Sequence, residues 1–302
     1  MNAPIGAPLA RRAAPDRASL PFLVTLLTLG RVANLPTVWS NCVAGWWLGG
    51  HGTAGKLPLL LMGATLLYLG GAFLNDAFDA DYDRQNRRAR PIPSGLIPSR
   101  EVGSWGAGLI LLGVFWCFWL GTTTGLMGVC VALMALAYNL THRVFVASPA
   151  FLGLCRFFLY VAAASTGAQG ADGWAVWCGL ALAIYVTGIR LLADLQTPPN
   201  PARYWPAALL AAPIALALIM DVNRFRAPGL ELSAVLGLWV LYCLRRTLWP
   251  AEQDIPKAIA GLTAGIVFVD WLAIVDLPHE LSVVILALFG AAVLAQRLTS
   301  AA

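Results

Sequence analysis

The sequence predicts an all-α fold, a polytopic membrane bundle of nine to ten transmembrane helices. Three observations carry this expectation. The 302 residues are 59% hydrophobic and only 12% charged, with mean hydropathy +0.72, whereas soluble domains carry about a quarter charged residues. Apolar runs of about 20 residues, the length of a membrane span, recur from one end of the chain to the other. Basic residues gather in alternate connections, the pattern of a multi-pass protein obeying the positive-inside rule. The 12 Trp fit the aromatic belts of membrane interfaces.

Residues 1–20 are rich in Ala, Pro and Arg and read as a disordered cytoplasmic N-terminus, and residues 21–302 read as a single transmembrane domain. Arg11 and Arg12 precede an apolar stretch, as in a signal peptide. That stretch runs through Arg31, Asn34 and Pro36 to Gly50 without a clear cleavage site, so it reads as a retained first helix. The candidate spans are 21–49, 57–80, 102–120, 124–140, 149–168, 172–196, 203–221, 230–247, 257–275 and 279–298. Nine spans result if one of the weaker late segments lies along the surface.

Charge orders these spans. Arg11, Arg12 and Arg17 precede the first. Arg84, Arg87, Arg88, Arg90 and Arg100 follow the second, Arg143 the fourth and Arg203 the sixth. Arg245, Arg246 and Lys257 follow the eighth, and Arg297 is near the end. All fall on one side, while the other has only Lys56, Arg224 and Arg226. The first side is therefore expected to be cytoplasmic, in a protein of the cytoplasmic membrane.

Several function classes drop out. No basic stripe lies on a soluble module, so nucleic acid is not an expected partner. The six Cys all lie in apolar runs without metal-type spacing and read as small packing residues. The three His form no zinc pattern. The Asp-Gly-x-x-Ala-Arg pattern of phospholipid-synthesis enzymes is absent.

The second span ends in Asn75-Asp76-Ala77-Phe78-Asp79-Ala80-Asp81-Tyr82-Asp83. Asp76, Asp79 and Asp83 share one face of a helix, and Asp81 lies off it. Carboxylates near membrane depth are expensive and mark a functional site. Hard oxygens on one face suit Mg²⁺, which leaves other positions for phosphate oxygens. A basic, proline-punctuated loop follows, through Arg84, Arg87, Arg88 and Arg90 to Pro91-Ile92-Pro93-Ser94-Gly95. Acid and base together at a membrane surface suggest a metal-bound phosphate on a lipid-soluble molecule. As a bland alternative, the arginines form a plain positive-inside loop.

Asn75-Asp76-x-x-Asp79-x-x-x-Asp83, followed by Arg88-Ala89-Arg90-Pro91-Ile92-Pro93-Ser94-Gly95, resembles the first aspartate-rich motif of the UbiA superfamily of intramembrane prenyltransferases. Arg31-x-x-Asn34-x-Pro36 resembles the polar face of that family's first helix. Tyr138-Asn139-x-x-His142-Arg143 resembles its segment after the fourth helix, with Arg in place of a common Lys. The resemblance runs from about Arg31 through the sixth span. It implies a helical bundle around a central cavity and Mg²⁺-dependent transfer of a prenyl group from a polyprenyl diphosphate to an acceptor, often aromatic. Asp76, Asp79 and Asp83 would hold Mg²⁺, with Asn75 as a further oxygen ligand. Arg87, Arg88, Arg90 and Arg143 would bind diphosphate, with Asn34 and Tyr138 lining the substrate site.

The family's second aspartate-rich motif is reduced here to Asp194, which the resemblance makes the remnant of a second metal site at the substrate, with the uncharged Gln196 nearby. Three readings stay open: a single Mg²⁺ at the first cluster, an unusual donor or acceptor, or lost transferase activity with a lipid-phosphate pocket retained; the competing function is a non-catalytic isoprenoid-binding or transport protein. Phe78, Tyr138, Phe157, Tyr160 and Tyr185 are candidates to face an allylic cation, against plain packing. Arg156, Arg190 and Asp270 lie within spans and need partners inside the bundle. For Arg190 the i, i+4 neighbour Asp194 competes for that role.

Overall fold

The computed structural model describes residues 22–53, 55–194, 201–219, 226–248 and 254–300. The expected disorder of residues 1–20, the charges Arg11, Arg12, Arg17 and Arg224, and Gln196 lie outside the described residues. Among those that are described, all regular structure is helical.

The first apolar segment forms two helices rather than one. Helix α1 (Phe22–Leu29) stops at a turn, and α2 (Leu35–Leu48) starts after a 3₁₀ turn over Val32–Asn34. Arg31 makes the break, with φ 46° and ψ 44° in the left-handed region, where a side chain other than glycine's costs of order 1–3 kcal/mol. Pro36 falls in the first turn of α2, where no N–H is required.

The chain then runs back and forth. Helix α3 (Lys56–Phe78) leads through a bend at Asp79 into the short α4 (Ala80–Asn86). Then come α5 (Ser99–Leu120), α6 (Thr122–Thr141), α7 (Pro149–Ser165) and α8 (Gly173–Ala193). A 3₁₀ stretch, Pro201–Ala211, continues into α9 (Ala212–Ile219). After it come α10 (Arg226–Leu248), α11 (Ile255–Ala264), α12 (Ile266–Ala273) and α13 (His279–Ser300). Side-chain caps are made at the heads of α8 and α11, but not by Asn34, Asp79 or Ser148 at the heads of α2, α4 and α7. Asp172 accepts from Ala175 N at 2.7 Å at the head of α8, and Asp254 accepts from Lys257 N at 3.0 Å at the head of α11.

Each of the ten predicted segments is occupied by helix. Among the described residues seven stretches are long and apolar enough to cross a membrane, with α11 and α12 counted together; α7 and Trp205–Ile219 are shorter apolar helices. On α5 the large side chains Leu111, Phe115 and Trp119 recur every fourth residue and stay exposed, as expected of a face turned to lipid.

Two large apolar clusters form most of the core, and a third, smaller one gathers Leu29, Phe73, Ile92 and Val102 around the end of α3. Of the two large ones, one joins α3 and α5–α7 through Leu67, Cys117, Val131 and Leu159. The other joins α8 and α10–α13 through Leu182, Tyr185, Leu236, Leu262 and Ile285. Helix α2 serves both, giving Val38 and Cys42 to the first and Val43 and Ala44 to the second. The seam between the two large clusters is where the cavity lies.

Helices α3 and α5 pack most extensively of all pairs, and glycine makes that possible. A Cβ on Gly70 would stand 2.7 Å from Ile110 Cγ1 and 2.8 Å from Gly106 O. Gly70→Ala is therefore expected to destabilise the bundle by about 1–3 kcal/mol through overpacking. Gly108, on the same helix as Gly106, has nothing within 4 Å of an added Cβ, so Gly108→Ala should leave stability within about 1 kcal/mol, shifted upward if at all. Thermal unfolding of the two detergent-solubilised variants reads the contrast; equal melting temperatures would contradict it.

Candidate active site

Asn75 and Asp76 occupy the last turn of α3, Asp79 sits at the bend, and Asp83 lies on α4. The helix expected to carry all three carboxylates is thus broken. Its hydrogen-bond rhythm nevertheless survives: Asp79 N donates to Asn75 O and Asp83 N to Asp79 O, each at 2.9 Å. The face is kept across the bend, and all three Asp are buried. Asp81 points to solvent and pairs with Arg84 at 2.5 Å.

Each buried carboxylate has its own arginine, and each arginine comes from a different segment. Arg31 Nη2 donates to Asp76 Oδ1 at 2.7 Å and to Asn75 Oδ1 at 2.5 Å. The left-handed turn of Arg31 is the backbone feature that sits at this contact. Arg90 Nη1 donates to Asp83 Oδ2 at 2.7 Å and lies 3.5 Å from Asp76 Oδ1. Arg143 Nη2 donates to Asp79 Oδ1 at 2.5 Å, and its guanidinium lies over the Tyr82 ring at 4.3 Å. His142 Nε2 is 3.1 Å from the same Asp79 oxygen, and its ring stacks on Tyr138. Asn75 Nδ2 donates to Asn139 Oδ1 at 3.1 Å, tying α3 to α6.

Of the four arginines expected to bind phosphate, Arg90 and Arg143 join the cluster. Arg87 and Arg88 stay exposed on the loop, with no side-chain bond to the cluster. Asp194 ends α8 half-exposed and pairs with Arg190 at 3.0 Å, the intrahelical i, i+4 pair that its position suggests. It does not join the other three carboxylates.

A cavity of about 300 Å³ opens beside the cluster. Arg31, Asn34, Asn75, Tyr138, Asn139 and Arg190 line its polar end. Val38, Leu67, Val131, Leu159 and Ile266 line its apolar reach. Asn34 Nδ2 donates to the Tyr68 hydroxyl at 3.0 Å, and Asn34 Oδ1 accepts from Gln296 of α13 at 2.5 Å.

Of the five aromatic candidates, Tyr138 alone lines this cavity. Phe78 is exposed, and Phe157 packs edge-on against Phe158. Tyr160 and Tyr185 are fully buried in packing, with the Tyr185 hydroxyl donating to Leu262 O at 3.0 Å. Tyr68, which the sequence reading passed over, does line the cavity. It sits two turns before Asn75 on the same face of α3, a spacing that would have revealed it.

The donor chemistry fits Mg²⁺. Three carboxylates and the Asn75 amide supply hard oxygens, and buried Asp83 Oδ1 has no hydrogen-bond partner. The donors are not gathered on one point, however. Among the described residues no three acidic, His or Cys side chains form a metal-sized group, because each carboxylate is drawn to its own arginine.

An intramembrane helical bundle, holding carboxylates and arginines at the mouth of an apolar cavity, is the class that this fold and site define. The chain belongs to the UbiA prenyltransferase family, whose family model matches residues 33–259, and it is an integral multi-pass membrane protein. It is 32% identical over 127 residues to a 4-hydroxybenzoate octaprenyltransferase of Nitrosomonas eutropha, across 41% of this chain and 43% of the relative. It is 36% identical over 92 residues to a digeranylgeranylglyceryl phosphate synthase of Methanothrix thermoacetophila, across 30% and 34%. The chain thus spans less than half the length of these curated relatives. Among solved structures, a UbiA homolog from Aeropyrum pernix superposes with TM-score 0.62 at 18% identity, over 85% of this chain and 99% of that one. A homolog from Archaeoglobus fulgidus, solved bound to GPP and Mg²⁺, superposes with TM-score 0.52 at 14% identity, over 92% and 98%. At such identities the likeness establishes the fold.

The ion-pair pattern separates arginines that look alike in sequence. Without ligand, Arg90→Ala leaves buried Asp83 without its cation and is expected to cost about 1–3 kcal/mol. Arg88→Ala should change stability by less than about 0.5 kcal/mol. Thermal unfolding in metal-free buffer tests the difference; an Arg88 effect as large as that of Arg90 would contradict it.

Proposed function

We propose that the protein transfers a prenyl group from a polyprenyl diphosphate to an acceptor, in a Mg²⁺-dependent reaction within the cytoplasmic membrane, at a site opening to the cytoplasm. The observation that carries this reading is the buried cluster of Asp76, Asp79 and Asp83, interleaved with arginines, at the mouth of an apolar cavity. The names of the relatives support prenyl transfer, one of them with an aromatic acceptor, 4-hydroxybenzoate.

The roles follow from the chemistry. Asp76, Asp79 and Asp83, with Asn75, would hold Mg²⁺, and the bound ion supplies positive charge to the diphosphate leaving group. Arg90 and Arg143 turn from carboxylate to phosphate oxygens once those carboxylates are engaged elsewhere, and Arg87 and Arg88 reach in from the loop. The allylic C–O bond breaks with its electron pair going to the diphosphate, where the arginines stabilise the growing charge. The apolar reach of the cavity takes the prenyl chain and keeps water from the allylic cation. Tyr68 and Tyr138 present ring and hydroxyl at its polar end. The acceptor supplies the electron pair of the new bond and loses its proton afterwards; no residue is assigned as its base.

A second reading is a non-catalytic isoprenoid-binding or transport protein on the same scaffold. It is favoured by the single, intrahelically paired Asp194 where the family has a second acidic motif. One assay separates the two, with purified protein, radiolabelled polyprenyl diphosphates of several lengths, Mg²⁺ and a panel of aromatic acceptors. The enzyme reading predicts acceptor-dependent diphosphate release that falls by about 10²-fold or more in Asp76→Ala and Asp79→Ala, the scale of losing a charge-stabilising group. Saturable binding without release at any chain length would establish the binder instead.

A further inference from the structure

Arg156 of α7 lies within the bundle and lines the cavity against the polar residues of α2, not among the apolar residues of its wall. Nη1 donates to Asn41 Oδ1 at 2.6 Å and Nη2 to Thr37 Oγ1 at 3.0 Å. These bonds leave the Nε–H and one N–H on each terminal nitrogen. The other described arginines lining the cavity, Arg31 and Arg190, each touch a carboxylate, although the buried Nε of Arg190 has no hydrogen-bond partner. Arg156 touches none. Its nearest anion stands one amide away: Asp270 Oδ2 accepts from Asn41 Nδ2 at 2.7 Å and from Ser40 Oγ at 2.5 Å. Asp270 thus compensates the charge of Arg156 through Asn41 without occupying its donors.

A guanidinium in a low-dielectric cavity is costly unless paired and hydrogen-bonded. Arg31 meets that cost with a direct carboxylate contact. Arg156 is held rigidly from behind with its fork partly free at the cavity wall. We propose that Arg156 is a specificity-determining residue that takes a carboxylate borne by the acceptor, with Thr37, Asn41 and Asp270 positioning its guanidinium. The proposal rests on the prenyl-transfer reading above.

Charge and shape select the group. A planar carboxylate matches the N–H fork of arginine. A doubly charged phosphate would meet one cation already offset by Asp270. Distance selects the pose. Thr37 and Asn41 lie three and seven residues along α2 from Asn34, roughly 5–10 Å deeper at 1.5 Å rise per residue. A ring-sized acceptor anchored on Arg156 therefore presents its far end to Asn34 and Asn75, beside the carboxylate cluster.

The test measures binding by titration calorimetry in nanodiscs, with 4-hydroxybenzoate, 4-hydroxybenzamide and 4-hydroxyphenyl phosphate as probes. Geranyl diphosphate with Mg²⁺ is titrated in parallel. The wild type is expected to prefer the carboxylate over the amide at least tenfold and to bind the phosphate more weakly than the carboxylate. Arg156→Leu should abolish that preference and leave geranyl diphosphate binding unchanged. Asp270→Asn keeps a hydrogen-bond acceptor but removes the compensating charge, so it should raise the carboxylate preference, a change that a merely structural role does not predict. Three results would overturn the proposal: no wild-type preference for the carboxylate, a preference that survives in Arg156→Leu, or a preference that falls in Asp270→Asn. Absence of geranyl diphosphate binding in the wild type would instead sink the prenyl-transfer reading, which keeps the two failures apart.

Discussion

Buried carboxylates paired with arginines are the constraint around which this bundle is arranged. An unpaired carboxylate among apolar helices is far costlier than the net gain of most single contacts. Asp76, Asp79 and Asp83 are accommodated because Arg31, Arg143 and Arg90 reach them from the first helix break, the end of α6 and the loop after α4. The pairs therefore fasten three connections to the end of α3. The fastening has a backbone cost at Arg31, whose left-handed turn accompanies its bonds to Asp76 and Asn75. Strain of this kind gathers at functional sites.

On the proposed reading, the same pairs explain how a site for a metal and a diphosphate would persist without them. Anionic and cationic halves neutralise each other, and an arriving cation and phosphate would take their places. The exchange trades ion pair for ion pair, so its net energy is set by how well the incoming groups match. The orphaned Oδ1 of Asp83 marks where the internal pairing is incomplete. Further in, Asp270, Asn41 and Arg156 form a second polar system at the seam between the two large apolar clusters, connecting α12, α2 and α7. The cavity thus has a charged mouth, an apolar wall and a polar point inside.

Much of this was legible in the sequence, because hydropathy and charge are written locally. The apolar segments, the acidic trio, the internal placement of Asp270 and the Arg190–Asp194 pair follow from period and spacing. What escaped was information carried by long-range contact. The apolar run over 21–49 is continuous in hydropathy, so the break at Arg31 was invisible except for the punctuation of Gly30 and Pro36. Arg31 meets Asp76 from 45 residues away, and nothing in either local segment announces the other. Arg87, Arg88 and Arg90 are equivalent as residues of one basic loop; only the path of that loop selects Arg90. The bend at Asp79 leaves no mark on the residue spacing, because hydrogen bonding stays helical through it. The aromatic residues were the least legible, since a buried ring in a span has the same signature whether it packs or lines a cavity. Tyr138 was legible from its motif and Tyr68 from its spacing to Asn75, whereas the packing roles of Phe157, Tyr160 and Tyr185 show only once the helices are set together.

The central claim is that the carboxylate cluster gathers a divalent ion that contacts a lipid diphosphate. Electron–nuclear double resonance on the purified protein, with Mn²⁺ in place of Mg²⁺ and geranyl diphosphate added, tests it most directly. The account predicts phosphorus hyperfine coupling on protein-bound Mn²⁺ that is lost in Asp76→Asn and Asp79→Asn. Geranyl diphosphate that binds equally well without any divalent ion, with Mn²⁺ remaining free in solution, would contradict it.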